Sequence, residues 1–107
     1  MLPTDHLQTV PISLGDRSYT IAIGTGLLGD PAVFQDVPQA SSAVIVSNTT
    51  VAPLYAQRLA GSLAGRYAAV HQVVLPDGEA FKNWEILNTI FDALLGHACD
   101  RKTVLFA

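Results

Sequence analysis

The residues with the most evident chemistry lie together, between a β-rich run and the start of a helical pattern. Two acids, Asp77 and Glu79, and one lysine, Lys82, surround Gly78, which can adopt positive φ. The Glu79 carboxylate can accept hydrogen bonds from two hydroxyl groups, as a ribose diol requires, and Lys82 supplies a charge or a donor one turn later. Asp77 could instead cap the turn or the helix. This segment is the best site candidate in the chain.

The same residues also fit a purely structural alternative. Acids are common at a solvated strand-to-helix turn, because the helix macrodipole favours negative charge near the N-terminus. Spacing alone favours this alternative slightly over a ligand site. Both interpretations therefore stay open at the level of residue types.

Two elements must position this segment, a strand before it and a helix after it. Residues 68–75 form a β-type run, and apolar residues at helical spacing predict a helix over residues 83–97. We expect one face of that helix to lie in the core: Trp84, Leu87, Ile90, Phe91, Leu94 and Leu95. Open α/β sheets bind ligands outside the carboxyl ends of their strands, which is where this segment falls. His71, alone in its strand, is a weak candidate for catalysis.

The rest of the chain alternates strands and helices. Residues 9–14 and 19–23 predict an opening β-hairpin, and residues 43–47 predict a strand buried on both faces. Three potential N-cap residues then precede a helix that should end near Gly65. We expect that helix to face the sheet through Leu54, Tyr55, Leu59 and Leu63, with alanines at 52, 56, 60 and 64 allowing close approach. With a final strand at residues 103–107, the order predicts an α/β, Rossmann-like fold with a mostly parallel sheet and right-handed crossovers.

Residues 24–29 match the dinucleotide-binding pattern G-x-G-x-x-G. That fingerprint also needs an acid about 20 residues later, at the end of the second strand, but this strand ends in Ser47 and Asn48. The run also follows a hairpin rather than opening a βαβ unit. We therefore expect a plain turn and helix cap leading into a short helix through Phe34, with phosphate binding as the less favoured alternative.

Composition bounds the class of protein. The 107 residues are 50% hydrophobic and 14% charged, which predicts one packed globular unit. A net charge of −3, with six Lys and Arg in total, lacks the basic footprint of a nucleic-acid partner. Residues 1–10 do not read as a signal peptide, and no apolar run approaches the roughly 20 residues that span a membrane. Cys99 is the sole cysteine, which excludes an intrachain disulfide, and the expected location is cytoplasmic.

Several stretches together resemble one enzyme family. Residues 75–82 read Leu-Pro-Asp-Gly-Glu-Ala-Phe-Lys, and residues 47–55, 90–95 and 100–103 supply further matches. Residues 19–28 are also similar to the family's opening. In these stretches the chain resembles the amino-terminal part of 3-dehydroquinate synthase, and its Asp-Gly-Glu-x-x-Lys block is the most specific match.

The resemblance implies a Rossmann-like domain that binds NAD. It implies that the block from residue 77 to residue 82 contributes to the nucleotide site. More weakly, it implies a second contact, near the adenosine half of NAD, from the strand end at Asn48 and Thr49. The implied cofactor-binding residues are Asp77, Gly78, Glu79, Ala80, Phe81 and Lys82, with Asn48 and Thr49. Glu79 and Lys82 are the side chains with independent chemical support. No catalytic residue and no metal ligand is implied within this chain.

The family's reaction is the conversion of 3-deoxy-D-arabino-heptulosonate 7-phosphate to 3-dehydroquinate with loss of phosphate, in the shikimate route to aromatic amino acids. The resemblance implies a lyase that uses NAD catalytically, a divalent metal, zinc or cobalt, and a homodimer when full-length. Its metal ligands and phosphate-binding residues belong to a carboxyl-terminal domain. We therefore expect residues 1–107 to be the amino-terminal portion of the NAD-binding domain, truncated before completion and inactive alone. The alternatives are a related sugar-phosphate cyclase and a stand-alone α/β binding module.

Overall fold

The structure is a computed structural model, and it describes residues 7–107. The signal-peptide prediction for residues 1–10 therefore falls mostly outside the described part. The strands and α-helices run in the order β1 (Gln8–Ile12), β2 (Tyr19–Ile23), β3 (Ser42–Asn48), α1 (Ala52–Leu63), β4 (Ala69–Leu75), α2 (Trp84–Gly96) and β5 (Val104–Phe106). Within this described range, no helix combines the length and the hydropathy needed to cross a membrane.

The main sheet has three parallel strands in the order β4-β3-β5. The central strand β3 is paired along its whole length with β4, from Ser42 opposite Ala69 to Asn48 opposite Leu75. Its run of β-branched and small apolar residues suits a strand with neighbours on both sides. The predicted α/β class and the parallel sheet are confirmed.

A two-stranded antiparallel sheet precedes the main one. β1 and β2 pair from Gln8 opposite Ile23 to Ile12 opposite Tyr19, and a 3₁₀ turn at Gly15–Arg17 connects them. The predicted opening hairpin is confirmed. Glycine at position 15 has φ of 66°, a conformation that residues with a Cβ rarely adopt.

The core lies between β3 and α1. Ala43 and Ile45 of the strand meet Leu63 of the helix and Tyr67 just after it. The Tyr67 hydroxyl donates a hydrogen bond of 2.6 Å to the Pro38 carbonyl, so its one polar atom is satisfied in the core.

The face of α1 that approaches the sheet is only partly the predicted one. Ala52, Ala56 and Leu63 are buried, as their spacing predicts. The prediction for Leu54 and Tyr55 is wrong, because their side chains are 59% and 46% exposed. The small alanine side chains allow the helix to lie close to its neighbours, and the larger side chains of Leu54 and Tyr55 face outwards.

The predicted bounds of α2 are confirmed, but its contacts are different from those expected. Asn83 is the N-cap, accepting a 3.0 Å hydrogen bond from the Ile86 amide. Trp84, Leu87, Phe91 and Leu95 are 76%, 38%, 46% and 78% exposed, so their predicted place in the core is wrong. The apolar residues of α2 extend around more of the helix surface than the part that packs against the sheet. The half-buried apolar residues of the helix are Ile86, Ile90, Ala93 and Leu94.

Candidate functional site

The carboxyl ends of β3 and β4 bring the predicted site residues to one edge of the sheet. Asn48 and Leu75 are register partners at the last pair of the two strands. The Thr49 amide then donates a 3.0 Å hydrogen bond to the Leu75 carbonyl, which extends the pairing by one step. The segment after Asn48 and the segment after Leu75 therefore leave the sheet side by side.

Asp77 ties these two segments together. Its Oδ2 accepts a hydrogen bond of 2.6 Å from the Thr50 hydroxyl, and its Oδ1 lies 3.4 Å from the donating Nδ2 of Asn48. The first bond is short, as expected for a hydroxyl on a carboxylate, and the second is weak by its length. Asp77 thus acts as a bridge between the two strand ends.

Asn48 also organises the entry to α1. Its Oδ1 accepts hydrogen bonds from the amides of Thr50, at 3.0 Å, and Val51, at 2.8 Å. This is the local side-chain-to-backbone pattern for which asparagine is favoured in turns. Thr49 is exposed, and its amide is committed to Leu75.

A tight turn follows Asp77 and requires the glycine. Gly78 has φ of 122° and ψ of 151°, a region that only glycine occupies readily. Its carbonyl accepts from the Phe81 amide at 3.1 Å and opens a 3₁₀ turn over Glu79–Phe81. Glu79 and Lys82 are three residues apart on this turn, so their side chains lie on the same side of it.

Glu79 and Lys82 form an ion pair on that turn. The Lys82 Nζ lies 2.8 Å from Glu79 Oε1, with side chains 73% and 85% exposed respectively. The hydrogen bond and the charge of Glu79 raise the pKa of Lys82 above its ordinary value. Such an exposed ion pair contributes little to stability. Glu79 and Lys82 can therefore separate and bind ligand atoms instead at a small cost in free energy.

An open cleft of about 600 Å³ lies at this edge of the sheet. Of the predicted residues, it is lined by Asn48, Asp77, Gly78, Glu79, Phe81 and Lys82. Ala80 and Thr49 do not line it, and Ala80 instead accepts a 3.3 Å hydrogen bond from Asn83 through its carbonyl. The lining of the cleft also includes the apolar residues Leu75 and Ile86.

No protein-family model matches this chain. Solved structures of 2-deoxy-scyllo-inosose synthase share its fold. One, complexed with carbaglucose-6-phosphate, NAD⁺ and Co²⁺, has a TM-score of 0.76 at 19% identity and covers 92% of this chain. A second structure of 2-deoxy-scyllo-inosose synthase has a TM-score of 0.75, also at 19% identity and 92% coverage. The chain has the Rossmann-like α/β fold of these enzymes and spans 27% and 28% of their lengths.

Thr50 belongs to the site, although the sequence predicts only a potential N-cap role for the run Asn48, Thr49 and Thr50. Its hydroxyl holds Asp77 across the strand ends. The available signal was its position at the end of the Asn-Thr-Thr run, directly after a strand whose parallel neighbour ends just before Asp77.

The glycine run at residues 24–29 lies elsewhere. Gly26 has φ of 68° and precedes a 3₁₀ turn over Leu27–Gly29, and a second 3₁₀ turn covers Pro31–Phe34. These turns agree with the favoured interpretation, although the short helix is 3₁₀ rather than α. The run lines a separate cavity of about 720 Å³ with Tyr55 and Arg58 of α1. Phosphate binding there stays the less favoured alternative.

Residues 7–107 contain no cluster of side chains that could serve as a metal site. Within that range no group of three or more His, Cys, Asp and Glu side chains could hold a metal ion. The donor set of these residues therefore does not fit a catalytic divalent metal, and no step through a metal is assigned to them.

Proposed function

We propose that this chain is the amino-terminal, NAD-contacting part of a sugar-phosphate cyclase, and specifically of 3-dehydroquinate synthase. The observation that carries the proposal is the exposed pair of Glu79 and Lys82 on a cleft at the carboxyl edge of the sheet. Ligands of open α/β sheets bind at this edge. The Asp-Gly-Glu-x-x-Lys block and the shared fold of NAD-complexed 2-deoxy-scyllo-inosose synthase support the assignment.

In this proposal Glu79 binds the ribose diol of NAD. One of its oxygens already accepts from Lys82, which holds the carboxylate in place on the turn. A diol hydroxyl can donate to the second oxygen, and the remaining protons of the Lys82 ammonium can be donated to ligand oxygens. Asp77, Thr50 and Asn48 act indirectly by fixing the geometry of the turn.

NAD held by Glu79 and Lys82 would supply reversible hydride-transfer chemistry to the complete enzyme. The described residues contribute binding and orientation to this chemistry. The proposed net reaction is that of the complete lyase, loss of phosphate from 3-deoxy-D-arabino-heptulosonate 7-phosphate to give 3-dehydroquinate. We propose a cytoplasmic homodimer for that complete enzyme, with residues 1–107 as the first part of its NAD-binding domain.

A related cyclase is the second candidate, and the fold shared with 2-deoxy-scyllo-inosose synthase supports it. The fold neighbours act as 2-deoxy-scyllo-inosose synthases, and one is complexed with a sugar-phosphate analogue. We propose the same nucleotide contacts in this chain for both candidates. Assays of the complete enzyme with each sugar phosphate, following phosphate release, separate the two.

Isothermal titration of the chain with NAD tests the proposal. Replacing Glu79 with alanine should weaken NAD binding about tenfold or more, the usual effect of losing a hydrogen bond to a charged group. Glu85→Ala is the matched control, because Glu85 is an acid nearby in α2 that does not line the cleft. Equal affinities for the Glu79 and Glu85 variants contradict the assignment.

The titration also distinguishes an enzyme part from a plain module. A version of the chain extended through the following coding sequence provides a second arm. NAD binding by either version, weakened by the Glu79 change, supports the cyclase proposal. Heat of binding absent from both versions favours a module in which residues 77–82 only shape a turn. The 107-residue chain alone should release no phosphate from either substrate.

A further inference from the structure

The opening hairpin has one apolar face. Side chains alternate along a strand, so Tyr19, Ile21 and Ile23 of β2 share a face. The register with β1 adds Val10, opposite Ile21, and Ile12, opposite Tyr19, to the same face. Four of these five side chains are between 42% and 56% exposed. Among residues 7–107, no other helix or strand makes extensive contact with the hairpin, although two strands alone are only marginally stable.

The two edges of the hairpin differ because of one proline. Pro11 has no amide hydrogen, so it fits the hydrogen-bond ladder only where its nitrogen faces the outer edge of β1. In an antiparallel pair, two opposite residues direct their backbone groups either both inwards or both outwards. Thr20, which lies opposite Pro11, therefore directs its amide and carbonyl away from β1, and so does Ala22.

The outer edge of β2 is free. Among residues 7–107, no backbone-to-backbone hydrogen bond joins β2 to any segment other than β1. Natural sheet edges are commonly protected by a charged side chain, a proline or a bulge. β2 reads Tyr-Thr-Ile-Ala-Ile and pairs with β1 without a bulge, so it has none of these devices. Such an edge is suited to pairing with a further strand.

We propose that β2 pairs antiparallel with β2 of a second copy of this chain, about a two-fold axis at Ile21. Thr20 of each copy then lies opposite Ala22 of the other, and each of these two pairs exchanges two backbone hydrogen bonds. Tyr19 lies opposite Ile23 of the other copy, so apolar side chains meet along the whole row. β2 contains no charged residue, so the pairing brings no like charges together within the strands.

The product is a four-stranded antiparallel sheet in the order β1-β2-β2-β1. Its symmetry is closed, because Pro11 interrupts the row of donors on each outer strand and hinders further growth. The pairing names a contact surface for the homodimer of the complete enzyme, and in that respect it rests on the proposed function. No residue of the hairpin lines the candidate cleft, so loss of self-pairing and loss of NAD binding are separate results.

Cross-linking at position 21 tests the register. Cys99→Ser in every variant removes the sole native cysteine. Ile21→Cys then places two Cα atoms about 4.5 Å apart across the axis, within the range of a disulfide, so mild oxidation should give a covalent dimer on a non-reducing gel. Val10→Cys is the matched control, because Val10 lies opposite Ile21 and is equally exposed. In the proposed sheet its copies are about 14 Å apart, three strand spacings, and should stay monomeric. Equal cross-linking of both variants, or none at position 21, overturns the proposal.

Sedimentation velocity tests the pairing without cross-links. The mass of the unsubstituted chain should rise from one copy towards two as its concentration increases. Ala22→Pro removes one outward amide from each β2 edge and should weaken association about tenfold or more, since two hydrogen bonds are lost per dimer. Thr9→Pro makes the same change at the opposite residue, on the edge that Pro11 already interrupts, and should leave association unchanged.

A charge substitution gives the same comparison should Ala22→Pro fail to fold by circular dichroism. Ile21→Lys places two like charges opposite each other at the axis and should weaken association about tenfold or more. Val10→Lys adds the same charge on β1, away from the axis, and should have a much smaller effect. An unsubstituted chain that is monomeric at every concentration, or equal association of the β1 and β2 variants, contradicts the self-pairing.

Discussion

The bridge from Asp77 to Thr50 gives the sharpest prediction for the architecture of the site. We expect the two side chains to be energetically coupled, because a 2.6 Å bond from the Thr50 hydroxyl to a carboxylate holds two strand ends together. The matched substitutions are Asp77→Ala and Thr50→Val, the second of which keeps the branched shape of threonine. Both side chains are exposed, so the full strength of a buried charged hydrogen bond does not apply.

The expected magnitudes follow from the bonds each change removes. Thr50→Val removes the short bond alone and should cost about 1 kcal/mol. Asp77→Ala also removes the weak 3.4 Å contact with Asn48 and should cost about 1–2 kcal/mol. Because the short bond is lost in both, the double variant should be less destabilised than the sum, with a coupling of about 1 kcal/mol.

Urea unfolding of the four proteins measures this coupling directly. For a domain of this size, 1 kcal/mol corresponds to about 4 °C in melting temperature, which gives an independent check. Asp92→Ala is the control, because Asp92 is an exposed acid on α2 whose side chain makes no hydrogen bond to any of residues 7–107. The control should change stability by at most about 0.5 kcal/mol. Additive costs, or an Asp77 variant no less stable than the control, would refute the bridge.

Three further predictions test other parts of the molecule. Glu79→Gln should lower the pKa of Lys82 towards its ordinary value of 10.5, measured by NMR titration. In the unsubstituted protein, the small stabilisation from the ion pair should disappear as pH rises through the raised pKa of Lys82. Gly78→Ala should destabilise the fold by about 1–3 kcal/mol in urea unfolding, because φ at this position is 122°. Gly61 lies inside α1, and a Cβ added there has nothing within 4 Å. Gly61→Ala should therefore stabilise the fold by up to about 1 kcal/mol. Tyr67→Phe should cost about 1–2 kcal/mol in the same assay, since it leaves the Pro38 carbonyl without its donor; an unchanged midpoint would contradict this.

The sequence was sufficient for the fold class because its local signals agree with each other. The apolar run before Asn48 predicts a buried strand, and β3 is the central strand of the sheet. Asn83 reads as a helix start, and it is the N-cap of α2. These features depend on nearby residues, so propensity and periodicity are informative about them.

Features that depend on the packing of helices and strands against each other could not be predicted from the sequence. Periodicity shows that α1 and α2 have apolar arcs, but it does not show which part of each arc touches the sheet. The outward positions of Tyr55 and Trp84 therefore could not be predicted. The contact of Thr50 with Asp77 depends on the alignment of β3 and β4, and the stack of His71 on His97 depends on where α2 ends relative to the edge strand. Both require the assembled sheet.

The outward position of Trp84 has a practical consequence. Trp84 is the sole tryptophan of the chain, and its side chain is 76% exposed. It lies two residues after Lys82, and both residues line a shallow apolar groove of about 490 Å³. Indole emission from this protein is therefore a label-free reporter of one place, the first turn of α2. A fluorescence titration with NAD can therefore test the proposed nucleotide site next to this turn without any attached dye.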